Sequence, residues 1–233
     1  YDKDAVLVTT EAQMVDAKMT AQTFAGLPYD SSFAAAYFPD VVINDPSLGG
    51  DIKVPPTVAV LGAFANNDAL AHSWFAPAGF TRGAIDISSA ATTFSTADLD
   101  VLYESKINPI TSFPGSEFVV WGQKTLLKSA SSLDRVNVRR LLIYIRRTVR
   151  AIALCFLFEP NRPETLEKFS AQINPFLQGI MDNQGLDRFK VKIDTETTTQ
   201  IDVENNTLRG KIYVQPAKTA EFISIDFVVS NTL

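Results

Sequence analysis

The sequence predicts an α/β protein: a layered α/β domain followed by an α+β domain with two main helices on a small, mostly antiparallel sheet. In the first half, short apolar runs alternate with alanine-rich helical stretches, as in layered α/β units. The second half has two long segments with apolar residues at helical spacing, followed by segments in which apolar and polar residues alternate. The turn dipeptide Pro114-Gly115 predicts the boundary, which gives domains of residues 1–115 and 116–233.

The first predicted elements are two buried strands of a mostly parallel sheet, at residues 5–8 and 41–43. Pro55 and Pro56 then predict the start of a helix that runs to about residue 64, because proline is tolerated in a first helical turn.

Three further elements complete the first half. Residues 87–93 are small, polar and aperiodic, so we expect a surface loop there. Residues 97–103 predict a short helix that leads into a strand beginning at Ile107.

The second half begins with a helix that Asn137 can cap. Its apolar positions follow helical spacing and are Val138, Leu141, Leu142, Ile145, Val149 and Ile152. The apolar run at residues 151–158 is too short to cross a bilayer and predicts a buried strand. Cys155 lies inside that run, which predicts a buried structural thiol.

A second helix is predicted from Asn161, with Glu164 three residues later in position for a capping box. Pro175 predicts a kink or a division of this helix, and residues 183–185 predict its end. One face is apolar and comprises Leu166, Phe169, Ile173, Phe176, Leu177 and Ile180.

Three alternating strands are predicted after this helix, at residues 189–193, 211–214 and 222–229. Lys190 and Lys192 lie on one face of the first strand, which indicates a solvent-facing side or a sheet edge. The polar, threonine-rich residues 194–208 predict a long exposed hairpin loop.

The charge distribution differs between the two halves. Residues 1–116 hold 13 acidic against 5 basic side chains, a net charge of −8, whereas residues 117–233 hold 13 against 16, a net charge of +3. The two halves are therefore predicted to have different surfaces. A charge of +3 is too small to predict nucleic-acid binding, which needs a concentrated basic stripe.

Five arginines of the first long helix fall within an arc of about 120° opposite its apolar stripe, at 100° per residue. They are Arg139, Arg140, Arg146, Arg147 and Arg150. A solvated helix face would explain them, but Ile143 lies in the middle of the arc. An apolar residue among arginines favours packing against a neighbouring subunit or an acidic loop, and the guanidinium group binds carboxylates bidentately.

Catalytic and ligand-binding patterns are sparse. His72 is the only histidine, and a serine hydrolase would need it as the base with a carboxylate such as Asp68. No Gly-x-Ser-x-Gly elbow and no phosphate-binding loop is present, so neither a catalytic residue nor a cofactor is predicted.

Metal-binding patterns are equally weak. No paired cysteine or histidine spacing occurs in the sequence. Four acidic residues of the predicted loop could in principle gather around Ca²⁺, but the spacing lacks the glycine of an EF-hand loop. They are Asp194, Glu196, Asp202 and Glu204. We therefore predict no metal site.

Several motifs in a fixed order resemble the C-terminal domain of contractile tail sheath proteins, which occur in myovirus tails and related injection machines. The central motifs are VVWGQKTL at residues 119–126, VNVRRL at 136–141 and FLFEPN at 156–161. Upstream and downstream segments are also similar to the family, and they lie at residues 54–65, 74–78, 107–110, 113–115, 210–216 and 220–223.

The resemblance implies a structural subunit without enzymatic activity or cofactor. Such subunits polymerise as rings around an inner tail tube and contract to drive the tube through the host envelope. The implied partners are further sheath subunits, the tube protein, the baseplate and the tail terminator, without nucleic acid or membrane insertion. The implied location is the virion tail, after assembly in the host cytoplasm. Two alternatives remain: a sheath of a bacterial secretion or bacteriocin machine, and an α/β hydrolase-like enzyme.

The resemblance also implies a subtilisin-like topology for the first domain, which we expect to be incomplete at its N-terminus because the chain begins at Tyr1. Sheath subunits join through terminal arms that add strands to the C-terminal sheet. The implied edge comprises Phe189, Lys190, Val191, Lys192, Ile193, Phe222, Ile223, Ile225 and Phe227. A helix that touches the tube is implied near residues 164–179, where the charged side chains are Glu164, Glu167 and Lys168.

Overall fold

Residues 16–47, 49–194 and 196–221 are described by the computed structural model, and the chain divides into a first unit, residues 1–158, and a second unit, residues 159–233. Helices and small sheets of mainly antiparallel strands alternate along the chain, which confirms the predicted mixed fold class. The predicted domain boundary at residues 115 and 116 stays a prediction.

The described part of the first unit consists of helices, strands and a 3₁₀ turn. In chain order the elements are α1 (Ala17–Ala25), β1 (Ala36–Phe38), β2 (Val41–Asp45), β3 (Gly50–Val54), α2 (Pro56–Leu70), α3 (Gly79–Arg82), β4 (Ser89–Ala90), α4 (Thr96–Glu104), β5 (Ile107–Ser112), β6 (Phe118–Val120), a 3₁₀ turn (Ser132–Asp134) and α5 (Val136–Leu154). The described strands form two three-stranded sheets, β1-β5-β6 and β3-β2-β4.

The predicted parallel sheet around residues 41–43 is wrong. Strand β2 forms as predicted, but both of its neighbours, β3 and β4, are antiparallel to it. For β3 the reason is its short connection to β2, because parallel neighbours need a crossover of a dozen or more residues. Strands β1 and β5 do pair in parallel. Residues 5–8 lie outside the described residues.

The predicted surface loop at residues 87–93 is also partly wrong, because it contains β4. Ser89 and Ala90 of this strand pair with Val42 and Val41. A strand of two small residues is too short to show alternation of apolar and polar side chains. Only its hydrogen bonding to β2 makes it a strand.

The two predicted helices of the first half are confirmed. Helix α2 begins at Pro56 as expected and continues to Leu70, beyond the predicted end. Helix α4 begins after Ser95, whose hydroxyl accepts a hydrogen bond from the backbone N–H of Asp98 while the Asp98 carboxylate accepts one from the backbone N–H of Ser95. This capping box satisfies two backbone donors that the first turn of the helix leaves free.

Two apolar clusters lie within the described part of the first unit. One joins the two sheets to α2 and consists of Val41, Val60, Ala63, Ile85, Ile110 and Val120. The other lies under α1 and α4 and consists of Ala17, Phe38, Leu102 and Ile107. Leu102 is completely buried, so α4 is fixed to the unit by its apolar face.

The predicted cap of helix α5 is wrong. Arg135, not Asn137, occupies the N-cap position. Asn137 lies in the first turn, is buried, and donates a hydrogen bond from Nδ2 to the backbone oxygen of Trp74 at 3.2 Å. The amide therefore connects α5 to the loop after α2 instead of capping the helix.

The buried strand predicted at residues 151–158 is wrong. Helix α5 continues to Leu154 and is followed by turns, Phe158 is fully exposed, and Cys155 is an exposed free thiol. A short apolar run cannot by itself distinguish a strand from the end of a helix. The helix forms here because it satisfies its own backbone groups without needing a partner strand.

The second unit contains α6 (Pro163–Asp182), β7 (Leu186–Lys192), α7 (Gln200–Glu204) and β8 (Lys211–Pro216). Strands β7 and β8 pair in antiparallel register, with Lys192 opposite Lys211, which confirms both predicted strands. The predicted strand at residues 222–229 lies outside the described residues.

Helix α6 buries the predicted apolar face, with Ile173 and Leu177 completely buried. It begins at Pro163, so the capping box from Asn161 to Glu164 is wrong; Asn161 instead donates to the backbone oxygen of Thr207 at 3.0 Å. Pro175 does not divide the helix, because it lies on the exposed side where water can solvate the carbonyl that lacks its usual donor.

The predicted exposed loop at residues 194–208 is partly helical. Helix α7 begins with a capping box between Thr199 and Asp202. Thr198 is buried and donates from its hydroxyl to the backbone oxygen of Arg209 at 2.9 Å, which anchors the segment beside β8. Threonine and asparagine favour turns as well as helix caps, because their side chains bond to nearby backbone groups. The sequence of this segment therefore predicted a loop and not the short helix.

None of the described helices combines the length and the apolar character that a membrane span requires.

We expect Ile173→Ala to lower the free energy of unfolding by about 2–5 kcal/mol, because the substitution leaves a cavity in the interior of the second unit. Chemical denaturation measures this loss. Gln172→Ala, at the exposed neighbouring position of α6, should change stability by less than about 0.5 kcal/mol. Equal effects of the two substitutions would contradict the packing described for α6.

The capping box of α4 predicts a pH-dependent effect of Asp98→Asn. Hydrogen bonds from the Ser95 side chain and backbone lower the pKa of Asp98 below its usual value. A carboxylate with a lowered pKa stabilises the fold above its unfolded pKa, and this contribution is lost as the pH falls through the folded pKa. The variant should be less stable than the natural chain at pH 7, and denaturation curves should converge in acid. Asp100→Asn, on the same helix outside the cap, serves as the control.

Candidate subunit interface

Helix α5 has two faces with different surroundings. Its predicted apolar stripe is turned inward, and Val138, Leu141 and Ile145 are buried. The arginine arc lies opposite, and the structure divides it into two parts at Ile143. The N-terminal part contacts the chain itself, and the C-terminal part is exposed.

Arg139 is held within the first unit. Its guanidinium lies 4.0 Å from the ring centroid of Phe33 and donates a hydrogen bond to the hydroxyl of Ser32, which is buried. Partial burial lowers the pKa of Arg139 from its ordinary value. Stacking of this kind on an aromatic ring stabilises a guanidinium that has lost part of its hydration.

Arg140 forms the main ionic contact of α5. Its Nη2 donates to both carboxylate oxygens of Asp68, at 2.7 and 2.6 Å, and its guanidinium lies 4.8 Å from the ring centroid of Phe64. Only 18% of the Arg140 side chain is exposed, against 44% of Asp68. The pair connects the first turns of α5 to the end of α2.

The C-terminal part of the arc is different, and we call it the outer face of α5. At 100° per residue Leu154 also falls within this arc, so the outer face comprises Ile143, Arg146, Arg147, Arg150 and Leu154. All five side chains are exposed, and Ile143 and Leu154 expose 47% and 59% of their surface. Within the described ranges, none of its three arginines forms an ion pair.

Exposed apolar residues continue beyond the outer face. Leu157 and Phe158 follow α5 in the turns that end the first unit, and both are exposed. An exposed helix face that mixes apolar side chains with arginine is typical of a protein–protein interface, because both are enriched there. The structure therefore brings together three of the five predicted arginines with Ile143 on an open surface.

The second candidate surface is the strand-addition edge. Phe189, Lys190, Val191 and Lys192 lie in β7, where Lys190 is exposed, and Ile193 is buried directly after the strand. Lys192 forms an ion pair with Glu196. The remaining members, Phe222, Ile223, Ile225 and Phe227, lie outside the described residues.

The third candidate surface is the outside of α6. Glu164, Glu167 and Lys168 are all exposed on the side opposite the buried stripe. This placement makes them available to a partner.

The residues that a hydrolase would require have other contacts. The ring of the exposed His72 stacks on that of Trp74, with centroids 4.3 Å apart. Asp68 accepts from Arg140 and from the amide of Asn67. Neither side chain is arranged as the base or the orienting carboxylate of a catalytic triad.

The acidic residues of the predicted loop are engaged separately. Asp194 accepts from the backbone N–H groups of Glu196 and Thr197, and Asp202 pairs with Arg209. The hydrogen bond from Thr199 lowers the pKa of Asp202. Across the part of the chain that the structure describes, no three His, Cys, Asp or Glu side chains form a group that could hold a metal ion.

Two further exposed surfaces were missed by sequence reasoning. Helix α2 exposes Val58, Leu61 and Leu70, and its only charged residue is Asp68. The signal was the absence of polar side chains from residues 58–65, which is unusual for a surface helix. The other surface is an aromatic cluster of Phe80, Phe113 and Trp121, with ring centroids 4.6–5.5 Å apart, which no spacing in the sequence indicates.

Comparison with protein families gives two adjacent matches. The model of the phage tail sheath protein central domain matches residues 6–126, and that of the phage tail sheath C-terminal domain matches residues 128–230.

Among curated proteins, the chain is 36% identical over 180 residues to the tail sheath protein of Vibrio phage KVP40 and 32% identical over 180 residues to that of Enterobacteria phage T4. Each alignment covers 77% of this chain and 27% of the relative. The chain therefore spans about a quarter of the length of these relatives.

Among solved structures, the chain is similar to the sheath of an extracellular contractile injection system, the PVC sheath complex in its contracted state. The TM-score is 0.77 at 25% identity, with 92% of this chain and 61% of that chain covered. The contracted helical sheath of the anti-feeding prophage shares the fold, with a TM-score of 0.74 at 23% identity over 87% of this chain and 57% of that chain.

The division of the arginine arc predicts different effects on stability. Arg140→Ala should destabilise the chain and couple with Asp68→Ala by about 1 kcal/mol in a double-mutant cycle, because the two side chains form a partly buried ion pair. Arg147→Ala, seven residues further along the same side of α5, should change the free energy of unfolding by less than about 0.5 kcal/mol. Chemical denaturation distinguishes these results, and additivity of the first pair would show that their contact contributes nothing.

Proposed function

This chain belongs to the phage tail sheath family, and we propose from that membership that it forms part of a structural subunit of a contractile tail sheath. In this proposal the subunits polymerise as rings around an inner tail tube, and contraction drives the tube through the host envelope. The observation that carries the proposal is the match of the two sheath domains in consecutive order, over residues 6–126 and 128–230.

The proposed partners are other copies of the subunit, the inner tube protein, the baseplate and the tail terminator. Support for self-assembly and for a baseplate comes from similar chains found in a contracted sheath complex and in the baseplate of the anti-feeding prophage. The proposed location is the virion tail, after assembly in the host cytoplasm. A phage tail is favoured over a bacterial machine, because the phage relatives are 36% and 32% identical and the injection-system neighbours 22–25%.

The proposed mechanism has no enzymatic step. Contraction would draw on the free-energy difference between two packings of the same subunits, which requires rigid units with interfaces that can be exchanged. The hydrolase alternative has less support, because His72 stacks on Trp74 and Asp68 is bound by Arg140.

Within the sheath we propose that the C-terminal domain, residues 116–233, lies nearest the tube. The first domain, residues 1–115, which has a net negative charge, would lie further out. The exposed side of α6 with Glu164, Glu167 and Lys168 would then face the tube, and β7 would receive the strand of a neighbouring arm. The outer face of α5 would contact another sheath subunit, since Ile143 and Leu154 expose apolar surface among its arginines.

Electron microscopy of the purified full-length protein tests the proposed function directly. Striated tubes of stacked rings are the expected result. A protein that stays monomeric under all assembly conditions, with or without the tube protein, would contradict it.

Charge reversal tests the proposed role of the outer face. Arg146→Glu with Arg150→Glu in the full-length protein should abolish sheath polymerisation and leave the monomer folded, because both side chains are exposed and have no ion-pair partner within the described chain. Circular dichroism checks the fold, and sedimentation with electron microscopy checks polymerisation.

The matched control is Arg146→Lys with Arg150→Lys, which keeps the charge at the same positions and should still assemble. Normal sheaths from the glutamate variant would mean that the outer face is only solvated.

A further inference from the structure

Helix α4 presents an acidic pair for which no described residue forms an ion pair. Asp100 and Glu104 lie four residues apart and are exposed, together with Ala97 on the same side of the helix. Neither carboxylate forms an ion pair within residues 16–47, 49–194 and 196–221. Asp98 is not part of this pair, because it is held in the capping box.

The outer face of α5 carries the complementary pair at the same spacing. Arg146 and Arg150 are also four residues apart, so each helix presents two like charges separated by about 6 Å along its axis. Ile143 and Leu154 flank the arginines with apolar surface, while Ala97 leaves room for close approach on α4.

Each helix is fixed in the first unit by buried or hydrogen-bonded residues other than these charged side chains. Helix α5 is held by the Arg140–Asp68 pair and by Asn137, which donates to Trp74. Helix α4 is held by the buried Leu102. The two complementary surfaces are exposed and are therefore open to a second copy.

We propose, building on the sheath function proposed above, that the outer face of α5 of one copy docks on the Asp100–Glu104 side of α4 of a neighbouring copy. The helices would run antiparallel, with Arg146 opposite Glu104 and Arg150 opposite Asp100. This direction brings the N-terminal end of α4 toward the C-terminal end of α5, where the helix dipoles attract each other. Arginine can pair with each carboxylate through two hydrogen bonds.

The proposed contact joins two different surfaces of the same chain. A contact of this heterologous kind leaves one free copy of each surface at the ends, so it propagates into a ring or a helix instead of closing a dimer. That is the symmetry that a sheath requires.

Other acidic side chains of the first unit are less suitable partners. Asp40 is paired with Lys53, Asp51 accepts a hydrogen bond from Ser88, and Asp45 accepts one from the backbone of Ser47. Asp86 and Glu117 are exposed but belong to different segments and form no pair at one-turn spacing. They serve as controls.

Charge exchange in the full-length protein tests the docking. Arg146→Glu with Arg150→Glu, and separately Asp100→Arg with Glu104→Arg, should each lower the amount of sedimentable tubes by about tenfold or more, because like charges then face each other. An equimolar mixture of the two variants should assemble, since each then offers a surface complementary to the other. The quadruple variant should assemble alone.

Asp86→Arg with Glu117→Arg makes the same change of net charge and should leave assembly unaffected. Circular dichroism must show both reversed variants to be folded; where the arginine variant of α4 is not, Asp100→Asn with Glu104→Gln replaces it and should still weaken assembly.

Four results would overturn the docking. Three are normal tubes from the reversed α4 variant, no assembly of the folded mixture, and loss of assembly in the Asp86→Arg with Glu117→Arg control. The fourth is a reversed α5 variant that assembles normally by itself but forms no sheath around the tube protein. The last result would place the tube protein on the outer face of α5. If the natural protein forms no tubes, the proposed sheath function itself fails, which is a separate outcome.

Discussion

The arrangement of the first unit depends on how the beginning of α5 is attached to the rest of the chain. Arg140 is largely removed from water, so its charge must be compensated within the protein, and Asp68 at the end of α2 provides two carboxylate oxygens at 2.6–2.7 Å. Asn137, one turn earlier, donates to the backbone of Trp74. Together with the buried Val138, Leu141 and Ile145, these polar contacts set the orientation of the helix.

That orientation determines what the remaining arginines can do. Because the apolar stripe and the first turn are directed inward, Arg146, Arg147 and Arg150 extend from the opposite side into solvent. The same residue type therefore has two roles on one helix. Near the N-terminus of α5 it binds other parts of its own chain, and two turns later it is exposed to solvent. In the sheath that we propose, this separation would let the rigid units keep their internal contacts while the contacts between them change.

The second unit rests on a different principle. Helix α6 buries one continuous apolar stripe and exposes the opposite side completely, so Pro175 and the charged residues Glu164 and Glu167 are tolerated without cost to the interior. The β7–β8 pair presents alternating side chains, and Thr198 ties the intervening segment to Arg209. This separation of an inner and an outer side keeps the charged side chains of α6 and Lys190 of β7 at the surface, away from the core.

Features that depend on neighbouring residues along the chain were determined by the sequence alone: the helices α2, α4, α5 and α6, the strands β2, β5, β7 and β8, the buried stripes, and the placement of Ile143 among arginines. Family motifs in fixed order determined membership in the sheath family. Only the tertiary structure decided that β2 pairs in antiparallel fashion, that residues 151–154 continue a helix, and that Cys155 is exposed. It also decided which arginines are bound by Asp68 and Phe33 and which are free to form a surface. The physical reason is that periodicity records which side of an element is apolar, whereas strand partners, ion pairs and exposure depend on residues distant in sequence.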